Sequence, residues 1–381
     1  MNLRRWRGAA RLPGAARRYR PGLVGLAVAV AAGTALVTVP QAGPRTADPA
    51  PPPRRVTQEW PGAVRHDLPA RLAGGTAYSP VWFLDAATSI GTAPSSDGRY
   101  LRLLRRAADG AVRELRRLPA TGSPEYAGFT GSGAVLAWAE LTTGRDGRGH
   151  TELWTAEPGS DRPARRVTTD GGDVLFASSR HDLVIGSGRL HWVAAAPGGA
   201  PATEVRSVPL AGGRVAVRTE PGAWTLSAWP WLVSAATGGT GPVRLRNLVE
   251  GTERTVPAGP DELLSCGPVW CRTLLPAGAG PGRLDLLRPD GRDRHRVAGG
   301  NVSAALVDVA VRDRFEVLRH TEPSAPTDGT TQLRLYDVTR RRTLLVADGV
   351  GLVFCRGDVL WWSTGGRTVT GWHALDLRTL T

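Results

Sequence analysis

Two of the three cysteines in this 381-residue chain stand five positions apart, in the stretch "SCGPVWCRT" that holds Cys266 and Cys271. Thiols at that spacing could bind a metal, attack a substrate or close a disulfide. Structural zinc takes four ligands, and no second Cys or His pair stands at ligand spacing, so no metal site is expected. Along an extended strand the two would be about 17 Å apart, whereas bridged Cα atoms lie about 4.4–6.8 Å apart. Gly267-Pro268 is a turn signal that would reverse the chain and set the two thiols face to face across a hairpin. A disulfide between Cys266 and Cys271 is therefore the expectation, with two reduced core cysteines as the alternative. Cys355, in "GLVFCRGD", reads as a buried free thiol.

No other catalytic constellation is evident, and no catalytic or cofactor-binding residue is assigned. The chain has no lysine, which excludes a Walker A loop, a Schiff-base lysine and the Ser-x-x-Lys acylases. It also lacks a Gly-x-Ser-x-Gly elbow and a His-Glu-x-x-His helix. His66-Asp67 and His181-Asp182 are adjacent pairs, whose side chains would point to opposite faces of an extended strand. His191 and His373, each beside a tryptophan, read as strand residues.

The basic excess is concentrated at the N-terminus. Of a net charge of +14, seven units come from arginines in residues 1–20, which contain no acid. What remains downstream is an ordinary surface, and no nucleic-acid partner is expected. Residues 22–39, "GLVGLAVAVAAGTALVTV", carry no charge and would span about 27 Å as a helix, close to the hydrocarbon thickness of a bilayer. The flanking arginines would hold the N-terminal end in the cytoplasm and place everything after residue 39 outside it. The organisation read from this is a cytoplasmic tail (1–20), a signal-anchor (21–40), a Pro-rich linker (41–62) and an exported domain (63–381). A cleaved signal peptide is the alternative to the anchor.

The exported domain must position whatever chemistry exists, and it is built of repeats. Short apolar runs alternate with Gly, Pro, Asp and Thr clusters, and no helical periodicity is present, so the fold class is all-β. Strands centred on Trp82, Trp138, Trp192, Trp231, Trp270, Phe315 and Trp361 recur at intervals of 39 to 56 residues. Each is followed by a leucine-rich hairpin, with turn dipeptides such as Asp109-Gly110 and Asp290-Gly291. A repeat of three or four short strands at this period predicts a seven-bladed β-propeller, with the aromatics filling the wedges between blades. The last unit stops one strand short. Residues 63–72, whose "ARLAGG" echoes "HRVAGG" at 295–300, are predicted to supply that strand and pair with 372–377.

On this repeat pattern, and on the "SSDGRYLRLL" turn at 95–104, the chain resembles WD40-like and TolB-like propellers, in particular the membrane-anchored ones of actinobacteria. The resemblance implies the fold and leaves the role open. The functional expectation is a monomeric, membrane-tethered, non-enzymatic module that binds a protein, peptide or cell-wall component without a cofactor. The alternative is a propeller-type hydrolase or lyase acting on an extracellular polymer. Two or more carboxylates or histidines converging at the channel mouth would favour the enzyme.

Overall fold

Burial alternates along most strands, as in Thr331–Asp337, and Leu333 and Leu335 point inward with no exposure. Half-buried strands of this kind pair into antiparallel sheets with one face on each neighbour. The computed structural model describes residues 53–144, 147–234, 240–276, 282–321 and 329–381. The apolar run 22–39 and the start of the linker lie outside them. Among the described residues no helix is long and apolar enough to cross a membrane.

The described chain is all-β. Five sheets follow one another as antiparallel meanders over 79–119, 125–168, 173–221, 224–256 and 263–299. A seven-stranded terminal sheet contains 302–376 together with Arg65–Pro69. Breaks between sheets fall at the Gly and Pro clusters near Thr121, Thr169, Glu220, Gly259 and Gly299. At Gly349 there is no break, because Arg342–Arg356 is one continuous strand. Hairpins turn where the sequence supplies φ > 0, at Gly110 (φ 87°) and Gly291 (φ 84°).

The sheets close on themselves as a β-propeller. Phe83 of the first sheet packs on Trp361 of the terminal sheet at 5.3 Å between ring centroids. Arg65–Pro69 pairs antiparallel with the strand Gly371–Asp376, from Arg65↔Leu375 to Pro69↔Gly371. Trp372 Nε1 donates to the Tyr78 carbonyl at 2.9 Å across the same seam. The strand missing from the C-terminus is thus supplied by the N-terminal side, as the repeat predicts. An edge that would expose unpaired backbone groups is covered.

Two sequence expectations need correcting. The linker ends earlier than residue 62: a helical turn, Val56–Glu59, and Trp60 pack on the terminal sheet. Trp60 is 4% exposed, and Glu59 accepts from Arg342 Nη1 at 2.8 and 2.9 Å. Apolar burial outweighs the extended preference of the preceding prolines. The aromatic of the first repeat is also out of phase. Trp82 lies on the first strand of its sheet, whereas Trp138, Trp192, Trp231, Phe315 and Trp361 lie on the second. The equivalent strand of the first sheet is Ser89–Pro94, which has no aromatic residue. That displacement produces the longest interval.

The aromatics are wedge fillers. Trp138 and Trp192 have no exposure, and Trp361 and Trp362 have 1%. Burying 150–250 Å² each is worth at most about 4–6 kcal/mol per ring, taking an extended chain as reference. Arginines sew the seams between sheets. Arg116 forks onto Glu140 of the next sheet at 2.9 and 3.1 Å, and Arg165 reaches the Ala211 carbonyl at 3.0 Å. The planar, always-charged guanidinium suits both acceptors.

Candidate functional site

A cleft of about 480 Å³ opens between the third, fourth, fifth and terminal sheets. Its aromatic lining comes from Trp229, Trp231 and Trp270, and its polar floor from Ser179, Arg180, His181, Asp182 and Asp308.

The floor is made by two irregular loops. In the third sheet the first strand is broken into Asp173–Val174 and Val184–Gly186, and residues 175–183 bulge toward the cleft. Leu183, without exposure, anchors this loop among Phe176 and Trp192. Asp182 Oδ1 accepts from the Ala177 amide at 2.8 Å and folds the loop on itself. From the terminal sheet comes the segment between Val302–Ala304 and Phe315–His320. Arg272, 7% exposed, holds it: its guanidinium bonds Glu316 Oε1 at 2.6 Å and donates to the Val307 carbonyl at 3.2 Å. Glu316 Oε2 accepts from the Ala310 amide at 2.8 Å.

The two loops meet at Asp308. Its Oδ1 accepts from Ser179 Oγ at 2.6 Å and its Oδ2 from the Arg180 amide at 3.0 Å. The His181 amide donates to Ser179 Oγ at 3.0 Å, and Arg180 Nε donates to His181 Nε2 at 3.1 Å. Because arginine can only donate, Nε2 of His181 carries no proton in this arrangement. Burial pulls the His181 pKa down to about 4, with the Arg180 charge acting in the same direction. Asp182, 6% exposed, moves the other way. Burial raises its pKa to about 6, the nearby Asp308 adds to the rise, and the Ala177 amide and Arg356 oppose it. Both shifts favour the neutral form, as burial does for any acid or imidazole, and strongly perturbed groups in a cleft are candidates for a functional site.

The disulfide stands at the rim. Cys266 and Cys271 are bonded across a four-residue connection, their Cα atoms 4.0 Å apart, and Gly267 N donates to the Trp270 carbonyl at 2.8 Å. Trp270 consequently sits in the hairpin and not mid-strand. Its Nε1 donates to the Asp313 carbonyl at 2.9 Å, and Arg288 lies 3.6 Å above its ring. Cys355 is a buried free thiol, with its pKa pushed up to about 12 by burial.

Two further histidines brace the fold. His191 stacks on Trp229 at 3.5 Å, and His373 Nδ1 meets Asp67 Oδ1 at 2.7 Å across the closing strand. The pair His181-Asp182 departs from the sequence reading. The two do not straddle a strand, because the loop 175–183 leaves the sheet and turns both toward one cleft. Asp308 had no signal in the sequence, since its partner residues lie about 130 positions away. Among the described residues no group of three His, Cys, Asp or Glu side chains is arranged to hold a metal ion.

No protein-family model matches the chain, and no curated protein matches it. Solved structures are similar to it in fold. A puromycin-hydrolyzing peptidase of Mycobacterium tuberculosis is 16% identical over 87% of this chain and 55% of its own, with a TM-score of 0.48. The β-propeller domain of the Trilobed protease from Pyrococcus furiosus is 11% identical over 76% and 89%, with a TM-score of 0.46. TolB from Acinetobacter baumannii is 18% identical over 60% and 62%, with a TM-score of 0.34. The chain spans about half the length of the mycobacterial peptidase. The expectation of a non-enzymatic binding module is corrected by the cleft itself: its floor gathers two carboxyl groups and an imidazole from two sheets, the convergence that favours the enzyme alternative.

Proposed function

We propose that the chain is a propeller-type hydrolase that cleaves an extended polymer, a peptide in the first instance, within the cleft. One observation carries the reading: Asp182 and Asp308, from sheets far apart in sequence, meet on the cleft floor with the Asp182 pKa raised to about 6. In the proposed reaction Asp308, held by the Ser179 hydroxyl and the Arg180 amide, takes a proton from water. The hydroxide bonds to the amide carbon. As the carbon–nitrogen bond breaks, protonated Asp182 gives its proton to the leaving amine. The edge strands Trp224–Leu226 and Leu263–Cys266 contribute to the cleft walls, along which an extended peptide would lie.

The terminal sheet is read here as two blades fused by the strand Arg342–Arg356, which gives seven blades in all. Residues 22–39 anchor the chain in the membrane, with the propeller outside the cytoplasm as a monomer. The disulfide supports that placement, because such bonds persist in oxidising compartments.

The test is the full-length chain against a library of internally quenched peptides. Cleavage should fall as pH rises through about 6, where Asp182 loses its proton. Asp182→Asn should lower kcat by roughly 10²-fold or more. A wild-type chain that cleaves no peptide between pH 4 and 8 overturns the reading.

A further inference from the structure

The strand Arg342–Arg356 ends in a ladder of three side chains, the last of which acts electrostatically on Asp182. Over residues 353–356 this strand pairs with Val359–Thr364 on one side, from Val353↔Trp362 to Arg356↔Val359. Its other edge has no strand partner there among the described residues. Alternation sends Val353 and Cys355 into the core and leaves Leu352, Phe354 and Arg356 on the opposite face. Leu352 is 48% and Phe354 38% exposed, which is unusual for large apolar groups in a sheet that buries nearly everything else. The Phe354 ring is fixed, stacked on Trp361 at 5.5 Å and tilted against Trp372 at 6.4 Å.

Arg356 is the cation of this ladder. It is half-buried, and its guanidinium has no hydrogen bond and no ion pair among the described residues. Asp182 and Asp308 are near enough to act on it electrostatically but beyond ion-pair distance. Burial works against its charge, with those two carboxylates opposing. With no protein acceptor of its own, the guanidinium keeps its planar fork of donors for an anion from solution.

We infer that Arg356, Phe354 and Leu352 form a seat for the free carboxyl terminus of a peptide whose last residues are apolar. The carboxylate takes the guanidinium fork bidentately, apolar side chains lie on Phe354 and Leu352, and the open strand edge bonds the peptide backbone. The inference rests on the proposed hydrolase for its consequence. With its terminus seated on Arg356, a peptide lays its last amide bonds beside Asp182 and Asp308, so cleavage proceeds from the carboxyl end.

The experiment measures binding and needs no turnover. Full-length chain is titrated with N-acetyl-Leu-Phe and with its C-terminal amide. The acid should bind roughly ten- to a hundredfold tighter than the amide, the difference a charge-assisted bidentate pair makes. Arg356→Gln should abolish that preference, and Asp182→Asn should keep it. Should Arg356→Gln not fold, the acid-to-amide ratio in wild type and in Arg356→Lys decides, falling in Lys because the fork is lost. Equal affinity for acid and amide in the wild type overturns the seat. A clear acid preference in a chain that hydrolyses nothing upholds the seat and sinks the hydrolase.

Discussion

Arg272 with Glu316, and Arg356 with Asp182, are two arginine–acid neighbourhoods beside the same cleft with opposite bookkeeping. Arg272 and Glu316 are 2.6 Å apart, both buried, and each carboxylate oxygen of Glu316 has a donor. The Asp182 carboxyl meets only backbone amides, of Ala177 and Ser179, with no cationic partner, and the Arg356 guanidinium has no side-chain hydrogen bond. A closed pair fixes a loop, whereas an open one leaves valences for a ligand. The contrast is sharpest in what removal of one partner should do. Glu316→Ala leaves Arg272 charged and buried, and loss of one member of such a pair costs about 3–5 kcal/mol. Urea denaturation should register that loss, with the 305–314 loop released. A cost under about 1 kcal/mol would place this pair in the open class and dissolve the distinction.

Asp182→Asn should act with the reverse sign. The folded pKa, about 6, lies above the ordinary aspartate value of 3.8. Between those values the unfolded chain ionises while the folded one keeps its proton, so stability falls as pH rises from about 4 to 6 and then levels off. Asn keeps an acceptor for the Ala177 amide and removes the charge. At pH 7 the variant should be more stable than wild type by on the order of 2 kcal/mol, a gap that closes below pH 4. Activity lost with stability gained is the mark of a functional site.

The repeats and the cleft floor differ in how far the sequence revealed them. Repeats of the Trp138 and Trp361 type are local patterns set by burial alternation, so the sheets, the closing strand at 65–69 and the Cys266–Cys271 hairpin could be read directly. Trp82 misled because the wedge it fills is reached from a neighbouring strand. Asp308 and Asp182 could not be paired from sequence at all. Their meeting depends on the ring being closed and on two loops leaving their sheets, and no local spacing encodes either event. His181 was misjudged for the same reason, by assuming a strand where the chain bulges.

The disulfide tests whether the rim belongs with the closed or the open class. Cys266→Ser opens a loop of only six residues, for which chain entropy alone predicts a loss of about 2 kcal/mol, at the low end for such bonds. Trp270 stays pinned by the Asp313 carbonyl and by Arg288, so the cleft wall should survive. Unchanged binding of N-acetyl-Leu-Phe with a lowered urea midpoint is the expected pair of results. Loss of binding with unchanged stability would show that the bond shapes the cleft and does not merely brace it.

The smallest effect belongs to the ion pair that joins these regions at the surface. Arg312 Nη1 lies 2.7 Å from Asp358 Oδ2, with side chains 35% and 37% exposed. It ties the loop that carries Asp308 to the hairpin that follows Arg356. Half-exposed pairs of this sort contribute about 0.5 kcal/mol and are screened by salt. Arg312→Gln should therefore shift the urea midpoint barely, and the shift should disappear in 1 M salt. Arg312 also sits at φ 58°, in the left-handed region, so Arg312→Gly trades the pair against relief of backbone strain of about 1 kcal/mol and should come out neutral or stabilising. If Arg312→Gln instead costs as much as Glu316→Ala, salt-independently, then exposure is not what separates the two classes of charge. The open state of Arg356 would then lose its meaning as a sign of an absent ligand.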